Sequence, residues 1–156
     1  MNSTQPNQAH AATSAPAWRV GLRWLYLLAV VLIAAAVVVQ VFFAGAAVLA
    51  DPAYWGLHRA FGSVIETGIL AMLLLGLASG LPWRVQALGG LLYVLMTLQY
   101  VFLYLMPQLG APVLRGLHAA NALALFSVAL ALTLRVLRHL RSRPIDYISR
   151  IREANP

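Results

Sequence analysis

Four apolar runs dominate this chain and dictate most of what it can become. They lie at about residues 24–50, 57–81, 85–106 and 113–134. About 20 apolar residues span the hydrocarbon core of a bilayer. Backbone N–H and C=O groups there must pair within the chain, and single runs of this length achieve that as helices. The expected fold class is therefore all-α: a polytopic membrane four-helix bundle, up-down-up-down, because the connections are short. Composition agrees. The chain is 62% hydrophobic and 10% charged, with a mean hydropathy of +0.79, whereas a soluble domain carries about 25% charged residues. The expected solvent is the lipid bilayer.

The flanks divide the chain. Residues 1–17 are polar and rich in Pro, Ser and Ala, and read as a disordered N-terminal tail in which His10 has no role. Residues 18–135 form the bundle, and residues 136–156 form a basic tail in which Pro144 opens a short helix with Ile145, Ile148 and Ile151 on one side. Ala47-Val-Leu-Ala50 before Asp51 resembles a signal cleavage site. The preceding apolar run is much longer than the about 7–15 residues of a signal peptide's apolar region, so the run stays in the mature protein. Gly76-Leu-Ala-Ser-Gly80 has the small-xxx-small spacing that lets membrane helices approach closely.

The net charge of +7 comes from arginine, since there is no lysine. Most arginines flank the apolar runs, which points to orientation in a membrane and not to nucleic acid. With the N-terminus inside, Arg19, Arg23, Arg84 and the six from Arg135 onward face the cytoplasm, while only Arg59 and Arg115 face out. Both termini are thus expected in the cytoplasm. The absence of cysteine excludes disulfides, thiolate metal sites, Fe–S clusters and covalently attached haem.

One stretch occurs twice. Gln40-Val-Phe-Phe leads to Gly56-Leu-His58, and Gln99-Tyr-Val-Phe leads to Gly116-Leu-His118, with 18 and 19 residues from Gln to His. The repeat unit is a helical hairpin, so the two copies are expected to be parallel repeats about an axis along the membrane normal. His58 and His118 then open diagonal helices at one depth, near the outer leaflet, and can face each other. One helical turn deeper lie Gly62 and Ala122. Asn121 shares the His118 face. Two opposed imidazoles over such a gap can admit a flat macrocycle, and histidine is a common axial ligand of haem iron. The plainer alternative is a pair of interfacial histidines at helix starts.

Three more polar residues lie within the runs. Glu66 sits about 12 Å along its helix from His58 and at that depth is a functional candidate. Gln40 and Gln99 can support the histidines from behind or glue the helices together. Arg59 and Arg115, at the outer rim, can clamp carboxylates or meet lipid phosphates.

The patterns Val39-Gln40 with Ala44-Gly45, Trp55-Gly-Leu-His58-Arg59, Leu98-Gln99 and Leu117-His118-Ala-Ala-Asn121-Ala122 resemble a family of small four-helix bacterial membrane proteins of unknown function. They are also similar to one half of haem A synthase, over about residues 20–135. That resemblance implies haem b between His58 and His118, in a bacterial inner membrane. The chain departs from the synthase in having one bundle, no cysteine pair and no clear match to its catalytic carboxylate, so no enzymatic activity is carried over. The resulting expectation is a haem-binding membrane protein with an electron-transfer or haem-handling role and an unidentified redox partner. The alternative is a structural or assembly subunit without a cofactor. A proton-coupled carrier built on Glu66 is a third option, but it lacks the broken helices and intramembrane charge pairs of transporters.

Overall fold

The computed structural model describes residues 16–142. The expected N-terminal tail lies almost wholly outside them, as do the proposed tail helix and Arg143, Arg150 and Arg152. Helix α1 runs Ala17–Leu49, α2 Tyr54–Ser79 and α3 Trp83–Tyr100. The third apolar run continues through a π-helical turn, Val101–Leu105, into a last α-helical turn, α4, Met106–Gln108. A 3₁₀ segment, Pro112–Gly116, leads into α5, Leu117–Arg141. No strand occurs among the described residues. Four helical segments are long and apolar enough to cross a membrane: Ala17–Leu49, Tyr54–Ser79, Trp83–Gln108 and Pro112–Arg141.

Two helices extend beyond their apolar runs for physical reasons. α1 begins at Ala17, so Arg19 and Arg23 are helical. Arg23 is only 4% exposed. Its Nε donates to the Ser79 carbonyl at 3.1 Å and its Nη2 to that of Gly80 at 3.5 Å, supplying donors to carbonyls at the end of α2 that have no helical partner. Its place before the first apolar run shows Arg23 only as a flanking charge. α5 continues through Arg135 and Arg138 to Arg141, where cations suit the negative end of the helix dipole.

Each long helix packs on two others. α1 and α3 both pack on α2 and α5; no Cα of α2 lies within 8 Å of α5, nor of α1 within 8 Å of α3. Residues at three- and four-residue spacing fill the centre: Tyr26, Val30, Ile33 and Val37 from α1, with Ile65, Ile69 and Met72 from α2. α3 adds Val85, Leu92 and Met96, and α5 adds Leu125, Ala129, Leu132 and Val136. Outward-facing positions remain apolar, among them Leu32, Val38, Leu74, Leu77, Val94 and Leu123. A surface in contact with lipid has that character.

The two glycines of the small-xxx-small pattern do different jobs. A Cβ on Gly76 would stand 3.0 Å from Tyr26 Cε2, so this position seats the tyrosine ring. Gly80 is the C-cap of α2 in the left-handed region, φ 62°. It ends a helix, and only Gly76 serves the close approach.

Candidate functional site

The core occupies the half of the bundle toward the Arg23 end. Above it the helices enclose a cavity of about 390 Å³. Val37, Ile65, Met96 and Leu125, one from each long helix, belong to both core and cavity and form its floor. Its walls carry Gln40, Val41 and Ala44 from α1 and His58, Arg59, Gly62 and Ser63 from α2. α3 and the π-turn contribute Gln99, Tyr100, Leu103 and Tyr104, and α5 contributes His118, Ala119 and Ala122.

The two imidazoles meet across this space. Their ring centres are 6.2 Å apart, with planes inclined at 65°. The gap between non-contacting helices α2 and α5 is thus bridged at this level by the two rings.

Each histidine is held by the glutamine of the neighbouring helix. Gln40 Nε2 donates to the His58 carbonyl at 2.7 Å, and His58 Nδ1 lies 3.1 Å from the Gln40 carbonyl. A carbonyl only accepts, so the second bond puts a proton on His58 Nδ1, and in the neutral ring the free lone pair is then on Nε2. The Gln99 amide is oriented by the groups around it. Its nitrogen donates to the His118 carbonyl at 2.9 Å and reaches Nδ1 of that ring at 2.9 Å, while its oxygen accepts from the Ala122 N–H at 3.2 Å. Both rings are thus engaged at Nδ1, His58 as donor to the Gln40 carbonyl and His118 as acceptor from the Gln99 amide, and neither Nε2 has a hydrogen-bond partner among the described residues.

Gly62 matters through Gln40. A Cβ there would lie 3.2 Å from Gln40 Nε2, so the glycine leaves room for the amide to reach His58. Gln40 Oε1 is buried without a hydrogen-bond partner. The ring of Trp55 meets His58 edge-on, with centres 5.4 Å apart.

The remaining residues singled out by sequence lie in several places. Arg59 lines the cavity, whereas Arg115 does not. Asn121 is buried and donates to the Leu95 carbonyl at 2.7 Å, tying α5 to α3 beside the cavity. Glu66 is not part of the cavity wall. Its Oε2 accepts a hydrogen bond from Tyr100 Oη at 2.8 Å, joining α2 to the end of α3. Tyr104 stacks on Tyr100, with ring centres 6.2 Å apart and planes at 15°. This tyrosine pair is not among the residues singled out above, although its four-residue spacing is a usable signal in the letters. The π-turn that carries Tyr104 has no comparable signature in the letters.

Among the described residues, no three His, Cys, Asp or Glu side chains come together as a metal site. A bare metal ion would thus find two nitrogens and too few further ligands. Two axial nitrogens do suffice for an iron whose other four positions a macrocycle fills.

Four helices of this length and hydropathy are consistent with a multi-pass membrane protein in a lipid bilayer. Within it, residues 40–104 match the model of a family of unknown function (DUF6220). The matched stretch begins at Gln40 and ends at Tyr104, and so holds the first Gln–His pair, Glu66 and both cavity tyrosines. Comparisons with curated proteins and with solved structures yield no match.

Proposed function

We propose that the chain is a haem-binding integral membrane protein in which His58 and His118 are the axial ligands of one b-type haem. The observation that carries this reading is the spacing of the two rings across the cavity. Two metal–nitrogen bonds of about 2.0 Å place facing imidazole centres roughly 6.3 Å apart, close to the 6.2 Å found. Metal-bound histidines typically donate their second N–H to a carbonyl or carboxylate, which fixes the ring and raises the basicity of the ligating nitrogen. His58 has that arrangement with the Gln40 carbonyl. The cavity volume falls within the about 300–1,000 Å³ of small-molecule sites.

When bound, haem iron supplies one-electron redox chemistry. The chain's residues hold the rings, exclude water with an apolar floor, and offer Arg59 at the wall to an acidic substituent. This reading takes the doubled Gln-to-His stretch as two parallel hairpin repeats in an up-down-up-down bundle. It puts both termini in the cytoplasm and the histidines toward the outer leaflet of an inner membrane. The resemblance to one half of haem A synthase supplies the identity of the cofactor. In an electron-transfer role the haem would exchange electrons with a redox partner in the membrane, whereas a haem-handling role needs none.

A reduced-minus-oxidised visible spectrum of the detergent-purified protein tests this. The expected result is a bis-histidine b-type spectrum, lost in the His58→Ala, His118→Ala double variant. Absence of haem after expression with ample haem supply overturns the reading, as does full haem retention in the double variant.

A second reading has its own observation. The Gln40–His58 and Gln99–His118 bonds join α1 to α2 and α3 to α5, so the same residues can act solely as interhelical glue in an assembly subunit. In that case His58→Ala lowers stability and leaves no spectral signature to lose.

A further inference from the structure

The cavity wall is not equally closed on all sides. α2 packs on α3, yet no Cα of the following π-turn comes within 8 Å of α2. The π-turn packs instead on α5 and on the segments that follow it. The seam between α2 and the third apolar run is therefore closed low and parted high. The Tyr100–Glu66 hydrogen bond crosses it at the level where it parts. Above that sill, Arg59 and Ser63 stand on the α2 side and Leu103 and Tyr104 on the other, and all four line the cavity. Arg59 and Ser63 are exposed and Tyr104 is 58% exposed, so these residues border both the cavity and the outside. π-turns of this kind are rare and occur often at functional sites.

Depth decides what lies outside. α2 has 26 residues, about 39 Å at 1.5 Å per residue, against a hydrocarbon core of about 30 Å. Ser63 then lies roughly 9 Å inside the core when the helix is centred. The flanking Val64, Leu70 and Leu105 are exposed and apolar. An opening at this level faces acyl chains and not water.

We infer that the cavity takes its occupant sideways from the bilayer, through a window between α2 and the π-turn. The occupant's chemistry is that of a flat apolar molecule with a carboxylate edge, which Arg59 meets at the wall. Arg59 has no ion-pair or hydrogen-bond partner among the described residues and so remains available to an anion. The inference rests on the haem reading, since haem is the occupant of that class proposed for this cavity.

The absence of cysteine makes the test clean. Single variants Ser63→Cys and Val64→Cys are each modified with pyrene maleimide, in haem-free protein held in phosphatidylcholine nanodiscs. Ser63 lines the cavity; Val64, the next residue, does not and is 61% exposed. Haemin is added and its uptake followed by the Soret rise. The expected result is association at least about tenfold slower for the Ser63 adduct than for the Val64 adduct. Each adduct is compared with its own unmodified cysteine variant, so that any effect of the substitution itself is removed. Equal rates for the two adducts, fast or slow, overturn the window while leaving the haem reading intact.

A second arm reads the carboxylate contact. Arg59→Gln should weaken haemin binding by about tenfold and leave haemin dimethyl ester unaffected. Equal weakening of both probes overturns the role of Arg59. If unmodified wild-type protein takes up no haemin at all, the haem reading itself fails, and the window fails with it.

Discussion

The side chain of Gln40 donates to the backbone carbonyl of His58, and the ring of His58 returns a bond to the backbone carbonyl of Gln40. This reciprocal pair ties the last third of α1 to the first turns of α2 and fixes the imidazole at once in position and in tautomer. Gln99 likewise donates to the His118 carbonyl, but at the ring its amide nitrogen is the donor and His118 Nδ1 the acceptor. The first expected consequence concerns Gln40→Leu, which keeps the volume and removes the donor. Interhelical hydrogen bonds in membranes contribute about 0.6–2 kcal/mol, so the melting point should fall modestly. If haem is bound, its occupancy should fall further than stability alone explains, because the ring is no longer oriented. Thermal melts with parallel haem quantitation check both.

Gly62→Val should act through the same pair. Its Cβ would come within 3.2 Å of Gln40 Nε2, and two more carbons would displace the amide. The loss should match that of Gln40→Leu, and the double variant should be little worse than either alone, since both remove one interaction. Additive losses in denaturant melts would contradict this.

Tyr26 gives a sharper contrast. A Cβ on Gly76 would meet its ring edge at Cε2, 3.0 Å away, whereas a Cβ on Gly89 would meet its hydroxyl, also at 3.0 Å. Gly76→Ala and Gly89→Ala should each destabilise by about 1–3 kcal/mol, the usual cost of overpacking. Tyr26→Phe should rescue Gly89→Ala and fail to rescue Gly76→Ala, because it deletes the hydroxyl and keeps the ring. Equal rescue of both would show that the ring shifts as a unit.

Glu66 and Tyr100 predict a difference between two substitutions. Glu66→Gln keeps an oxygen that accepts from Tyr100, so the melting point should change little. Glu66→Leu leaves the hydroxyl without its acceptor in an apolar setting and should lose about 1–2 kcal/mol. Tyr100→Phe combined with Glu66→Leu should recover part of that loss. A large effect of Glu66→Gln would mean that the carboxyl's charge, and not its hydrogen bond, matters.

Arg23 closes the end of α2. Arg23→Leu removes donors from the Ser79 and Gly80 carbonyls, and bonds from a charged donor contribute about 1.5–3 kcal/mol. Arg23→Lys should recover little, since a single ammonium cannot reproduce the geometry of a planar guanidinium. Urea or detergent-denaturation midpoints of the three proteins decide this.

The letters alone determined four membrane-length helices, because hydropathy over some 20 residues leaves a backbone few other options in lipid. Of the residues singled out in the letters, His58, His118, Gln40, Gln99, Gly62, Ala122 and Arg59 line one cavity, whereas Glu66, Asn121 and Arg115 do not. Helical periodicity carried that much, since it fixes which residues share a face. The tertiary structure decided what periodicity cannot. It buried Arg23 against another helix's carbonyls, turned Gly80 into a cap, and placed Glu66 on Tyr100 in place of the cavity wall. It also put a π-turn at Val101–Leu105, parting α3's continuation from α2 beside the two tyrosines. Each of these depends on which groups of one helix meet those of another at a given depth. A one-dimensional pattern holds the faces of helices and not their mutual heights, so only the packed bundle could show where the wall opens.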